Sequence, residues 1–258
     1  MAVAAYNCRD GQLLWGMSVG IRRALQTSES IELAALLAVS GGLMDAYSFL
    51  FRGRVFANAQ TGNIVLLSIQ LADGNWGEAG RYALPFLCYV CGLVVAHVVC
   101  LHSRNLTTHW RQLSLMLEIC ILVTVAFVPS SHDWLANALT SLACGIQVQS
   151  FRKVHGRPIA TTMCMGNTRQ AVQELVDFVH RREPRALESS LLHFGTVFAF
   201  ATGAVIGSRM VALFGQHAIL VSVALLVVAA LILFWDREEH TAAAAERRYL
   251  RERRRHRS

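Results

Sequence analysis

Long stretches almost free of charge, separated by short arginine-rich clusters, constrain this chain more than any other feature. A helix needs roughly 17–25 residues to cross about 30 Å of hydrocarbon. Six stretches meet that length, at about 31–51, 82–101, 112–128, 134–151, 190–213 and 217–235. Composition agrees: 54% of the residues are hydrophobic and 16% charged, where soluble domains carry about 25% charge. The expected fold class is all-α, a polytopic helical membrane protein whose first partner is the lipid bilayer.

Two further stretches are ambiguous. Residues 55–72 carry Asn58, Gln60, Thr61, Gly62 and Asn63 in their first half, and residues 159–180 contain Arg169, Glu174 and Asp177. A charge near mid-bilayer costs about 2.5–3.5 kcal/mol, so the second is not expected to cross facing lipid. Charge bias decides the count, because short cytoplasmic loops concentrate Lys and Arg. With six crossings and the N-terminus inside, Arg9, Arg22, Arg23, Arg104, Arg111, the cations from Arg152 to Arg185 and the tail are cytoplasmic, while Arg52, Arg54, Arg81 and Arg209 face out. Eight crossings would send Arg104, Arg111, Arg152, Lys153 and Arg157 outside and strand Arg169 in the membrane. Six is the expected count. Both ambiguous stretches then become broken or re-entrant elements, the first entering from outside and the second from the cytoplasm. Both termini are expected in the cytoplasm. The tail over 246–258 holds seven Arg against Glu246 and Glu252. It reads as a topology marker, not as a nucleic-acid site.

The chain also repeats itself. Ser48-Phe49 matches Ser150-Phe151 at an offset of 102, Gly53 to Ala57 matches Gly156 to Ala160 at 103, and Gly62-Asn63 matches Gly166-Asn167 at 104. Farther on, Gly92-x-x-x-Ala96 has a counterpart in Gly203-x-x-x-Gly207. Ordered matches with a slowly drifting offset point to two diverged copies, each reading span, broken element, span, span. Three crossings per copy force the second to insert upside down, the inverted repeat with discontinuous helices that recurs in transporters. The expected organisation is a cytoplasmic or interfacial segment over 1–30, membrane repeats over 31–130 and 131–236, and a basic cytoplasmic tail over 237–258.

The stretch "SGGLMDAYSFLFRGRVFANAQTGN" resembles the YoaK family of bacterial multi-pass membrane proteins of unknown function. Gly42, Asp45, Ala46, Ser48, Phe49, Phe56 and the Thr61-Gly62-Asn63 triplet carry the resemblance, which extends over roughly 30–235. Where the second copy of that family tends to show Thr-Gly, this chain has Met165-Gly166. The resemblance implies a bacterial inner-membrane protein and supplies no substrate, reaction or cofactor.

Candidate chemistry follows from polar groups inside apolar spans. Asp45 is the sharpest, since ionisable groups within spans are rare and functional by default; if it titrates, transport would be proton-coupled. Its repeat counterpart is Gln147. Thr61, Gly62 and Asn63 suit a helix start inside the membrane, with side chains capping orphan N–H groups, and Gly166 with Asn167 suits the same from the other side. Ser48, Asn58, Gln147, Gln149, Ser150, Thr161 and Thr162 complete a substrate pathway for a small polar solute. Glu118, His97 and His193 read as structural, and Gly203 to Gly207 as a small-residue packing face, within the chain or between copies of a homo-oligomer. Six of the seven cysteines lie in or beside apolar segments, so packing rather than a disulfide framework is expected. No metal cluster, cofactor motif or enzyme signature stands out. The leading expectation is a transporter or channel with a path at the two Gly-Asn breaks, and the alternative is a scaffold or sensor without flux. A transporter would line a midplane cavity with Asp45, Asn63 and Asn167; a scaffold would bury them in hydrogen bonds.

Overall fold

The computed structural model describes residues 31–102, 110–152 and 159–234, and within them the regular structure is helical. The basic tail, the segment over 1–30 and the Gly156-Arg157-Pro158 repeat match lie outside the described residues. The helices are α1 (Ile31–Phe51), α2 (Gln60–Ala72), α3 (Trp76–His102), α4 (Trp110–Phe127), α5 (Asp133–Ser150), α6 (Cys164–Arg181) and α7 (Pro184–Phe214). After a 3₁₀ turn at Gly215–Ala218, residues 219–234 form a further helix, α8. Four helical stretches are long and apolar enough to cross a membrane: α1, α3, α4 and the run from Pro184 to Phe234. The last is 51 residues long, about 77 Å at 1.5 Å per residue, too long for one crossing.

Cross-helix contacts show how that run folds. α7 lies parallel to α1, with Gly203 against Val39 and Gly207 against Leu43 and Ala46. α8 runs antiparallel to α1, with the Ser222 hydroxyl 3.0 Å from that of Ser40 and the Tyr47 hydroxyl donating to the Gln216 carbonyl. The chain therefore reverses at the 3₁₀ turn, where Gly215 takes the positive φ of 52° that the turn requires. α4 is antiparallel to α8, through Gln112 on the Leu233 carbonyl and Gln216 on the Ala126 carbonyl. α5 is antiparallel to α1, through Asn137 on the Arg52 carbonyl and Gln147 on the Leu37 carbonyl. α3 runs beside α5 in the same direction, with Gly92 against Leu142 and Ile146 and His97 near Gln149.

The helix pairs are reciprocal. α1 packs chiefly on α7 and α3 chiefly on α5. Each crossing is made close by facing glycines: a Cβ on Gly42 would strike the Phe200 carbonyl and one on Gly203 the Val39 carbonyl, while Gly92 and Gly145 meet the Leu142 and Tyr89 carbonyls in the same way. Where lipid tails are as apolar as leucine, such close backbone contact supplies the association. α1 and α5 are the most enclosed elements. α5 is enclosed although it is less apolar than the four membrane-length stretches, with the Asn137 and Gln147 amides donating to α1.

Candidate functional site

α1 ends at Phe51, and the next residue, Arg52, has a fully buried side chain. Its guanidinium pairs with Asp133 at 2.9 Å and donates to the Tyr47 hydroxyl at 2.7 Å and to the Val125 and Val128 carbonyls. From this anchor the chain does not leave the bundle. It turns back, and the Asn58 side chain donates to the Gly41 carbonyl at 3.1 Å. Gly41 precedes Arg52 by eleven residues, about 16 Å along the helix, so the loop over 52–59 descends roughly half the thickness of a bilayer. α2 then returns as an antiparallel partner of α3.

Asp45 holds the descending loop. Its Oδ1 accepts the Asn58 backbone N–H at 2.6 Å, and the N–H groups of Ala57 and Ala59 also bond to the carboxylate. Asn63, fully buried one turn into α2, closes the loop from the other end: its amide donates to the Phe56 carbonyl at 2.7 Å and its Oδ1 accepts the Phe56 N–H at 2.9 Å. The Phe56 ring stacks on Phe49 at 4.8 Å and covers Gly62, where a Cβ would collide with it. Asp45, Phe49, Phe56, Gly62 and Asn63 thus build one locked loop. The capping expectation for the triplet is not met: Ala59 is the N-cap, no side chain caps α2, and Thr61 points to the exposed side.

The second broken element approaches from the other end of α1. α5 ends at Ser150, and α6 starts at Cys164, antiparallel to the first half of α7. Asn167 donates to the Ala160 carbonyl at 2.7 Å, its Oδ1 lies 3.3 Å from His193 Nδ1, and Ser190 donates to the Ala171 carbonyl. The Thr162 methyl occupies the space that a Cβ on Gly41 would need. Gly166 is exposed with nothing near it, so it has no part in this contact. Both interrupted elements therefore converge on Gly41, in the middle of α1.

Around this meeting point buried polar atoms stand without partners among the described residues: Asn58 Oδ1, Thr161 Oγ1 and, one turn away beside Leu37, Gln147 Oε1. Each such atom costs about 1–3 kcal/mol, and a native interior holds few of them. Ser48 and Ser150 are also buried with free hydroxyls, whereas Gln149 is half-buried against His97. Asp45, Asn63 and Asn167 are instead bonded to their own loops. The loop tips, not the Gly-Asn positions, carry the unsatisfied chemistry. Sequence reasoning missed Gly41 and Arg52: Gly41 was hidden beside Gly42, and Arg52 was counted as an outward loop charge. Of the cysteines expected to pack rather than to build a disulfide framework, Cys88, Cys91, Cys120, Cys144 and Cys164 are free and Cys100 is disulfide-bonded.

A family profile described as "Protein of unknown function (DUF1275)" matches residues 33–232. The UPF0700 transmembrane protein YoaK of Bacillus subtilis (strain 168) is 25% identical over 186 residues, covering 67% of this chain and 80% of the relative. No solved structure matches.

Proposed function

Since the chain belongs to the DUF1275 family of membrane proteins without an assigned activity, we propose from its geometry that it moves a small polar solute across the bilayer, with the path passing Gly41. The observation that carries this reading is the convergence of two re-entrant loops from opposite ends of α1 on one glycine, beside the unpartnered Asn58 Oδ1 and Thr161 Oγ1. Neutral acceptors and a hydroxyl suit an uncharged hydrogen-bonding solute better than an ion. The alternating helix directions support six crossings (α1, α3, α4, α5, α7 and α8). The reciprocal α1–α7 and α3–α5 pairs, with matched Asn63 and Asn167 clamps, support an inverted repeat, the architecture in which one half rocks against the other around a midplane site. With arginine clusters on one side, the inner membrane and cytoplasmic termini complete the proposal.

The test is a stabilisation screen of the purified protein against small neutral polar solutes, followed by flux of each hit in proteoliposomes. Transport predicts saturable flux that falls in Asn58→Ala and Thr161→Val while both variants remain folded. Flux at the level of empty liposomes for every stabilising solute would overturn it. A second reading, a scaffold or sensor without flux, is favoured by the saturation of Asp45, Asn63 and Asn167 with hydrogen bonds inside their own loops.

A further inference from the structure

Glu118 is the buried ionisable group that this path leaves unused. It sits midway along α4 on the face formed by Arg111, Ser114, Leu115, Leu122 and Val125, all buried. Leu115, Leu122 and Val125 share a core with Ala143 and Cys144 of α5 and Leu226 and Ala229 of α8, so this face looks inward and not to lipid. Glu118 has no exposed surface, and neither carboxyl oxygen has a hydrogen-bond partner among the described residues. The Ser114 hydroxyl, one turn earlier on the same face, is also buried without one.

Among the described residues no counter-charge faces Glu118. On α5 the neighbouring titratable group is the Cys144 thiol, which lies within electrostatic reach of both Glu118 and Asp45 of α1, and Asp45 is held by three backbone N–H groups. α8 carries no titratable side chain over 219–234. On α3, Tyr89 neighbours Cys144 and Asp45 instead, His97 faces Gln149 and His102 is exposed on the Val98 carbonyl. His217, in the 3₁₀ turn, packs edge-on against Phe127, nine residues or about 14 Å along α4. Arg111 is seven residues the other way, about 10 Å.

A carboxylate in such a place would lack water, hydrogen bonds and a cation together, which no protein interior sustains. We propose that Glu118 is a proton-binding site within the membrane, carried as the neutral acid where α4 packs on α5 and α8 and able to exchange its proton with water. On release the O–H bond breaks, the proton leaves to water and the carboxylate remains; rebinding reverses the step. Asp45, bound as a loop staple, is thereby replaced by Glu118 as the group that couples flux to protons, a role resting on the transport reading, whereas proton binding itself does not.

The test treats the full-length protein in lipid nanodiscs with dicyclohexylcarbodiimide, which converts a protonated carboxyl in apolar surroundings to a stable N-acylurea, and locates the adduct by tandem mass spectrometry. The adduct is expected on Glu118 at neutral pH, retained in Asp45→Asn, lost in Glu118→Gln and recovered at the same position in Glu118→Asp. Localisation in the wild-type chain needs no variant to fold. An unmodified Glu118 at every pH tested, or modification of Asp45 in its place, would overturn the proposal. Labelled Glu118 with no solute flux removes the transport reading and leaves the proton site standing; labelled Glu118 with flux indifferent to a pH gradient removes the coupling.

Discussion

The side-chain amide of Asn63 donates to the Phe56 carbonyl and that of Asn167 to the Ala160 carbonyl, each over 2.7 Å and each to the residue seven positions earlier. Each bond ties the first turn of a helix to the chain that leads into it, so two separate stretches solve one local problem in the same way. They differ in the second contact: Asn63 Oδ1 accepts the Phe56 N–H, and Asn167 Oδ1 meets His193. Asn63→Ala and Asn167→Ala are each expected to lower stability by about 1–3 kcal/mol. The two changes share no partner, so the double variant should show the sum. Thermal unfolding in detergent measures all three.

Asp45 is expected to matter through structure before chemistry. Asp45→Ala would leave the N–H groups of Ala57, Asn58 and Ala59 without their acceptor, a loss of about 3 kcal/mol, since hydrogen bonds to charged groups contribute about 1.5–3 kcal/mol each and part is regained by rearrangement. Asp45→Asn keeps one acceptor and should lose less. The same unfolding assay ranks them; equal effects would show that the loop is not held from Asp45.

The glycines divide into two classes. Gly42→Ala and Gly203→Ala push a methyl into a backbone carbonyl across the α1–α7 contact and should abolish folded protein in size-exclusion chromatography. Gly166→Ala meets nothing and, lying within α6, should leave stability unchanged or raise it by up to about 1 kcal/mol.

The Arg52 anchor should be asymmetric. Arg52→Ala empties a fully buried position and strands the Val125 and Val128 carbonyls, whereas Asp133→Asn, at a site 31% exposed, keeps an acceptor for the guanidinium. Each stranded carbonyl costs about 1–3 kcal/mol and the emptied volume adds to it, so Arg52→Ala should cost about 3–5 kcal/mol and Asp133→Asn well below that. Denaturant unfolding of the two variants checks the order.

How much of this was legible in the sequence depends on range. The helical stretches of membrane length were, because apolar length acts locally along the chain. The broken elements at Asn58 to Asn63 and at Thr161 to Asn167 were also visible, as polar residues where a span would not tolerate them. What each polar group does was not. Thr61 and Asn63 look alike in sequence as cap residues, yet one is exposed and the other clamps Phe56 seven residues back, a choice set by the Phe49–Phe56 stack. Gly41 was indistinguishable from Gly42 until α7 took one face of α1 and Thr162 the other. Arg52 was read as a loop charge because nothing local announces that Asp133, 81 residues away, will meet it.

The central claim is that two loops reach Gly41 from opposite sides of the membrane. Single cysteines at Asn58→Cys and Thr162→Cys, in a chain with its native cysteines replaced, can be probed in oriented vesicles with a membrane-impermeant thiol reagent applied to one side at a time. The account predicts that Asn58→Cys reacts from the outer side and Thr162→Cys from the cytoplasmic side. Reaction of both from the same side, or of neither from any side, would contradict it.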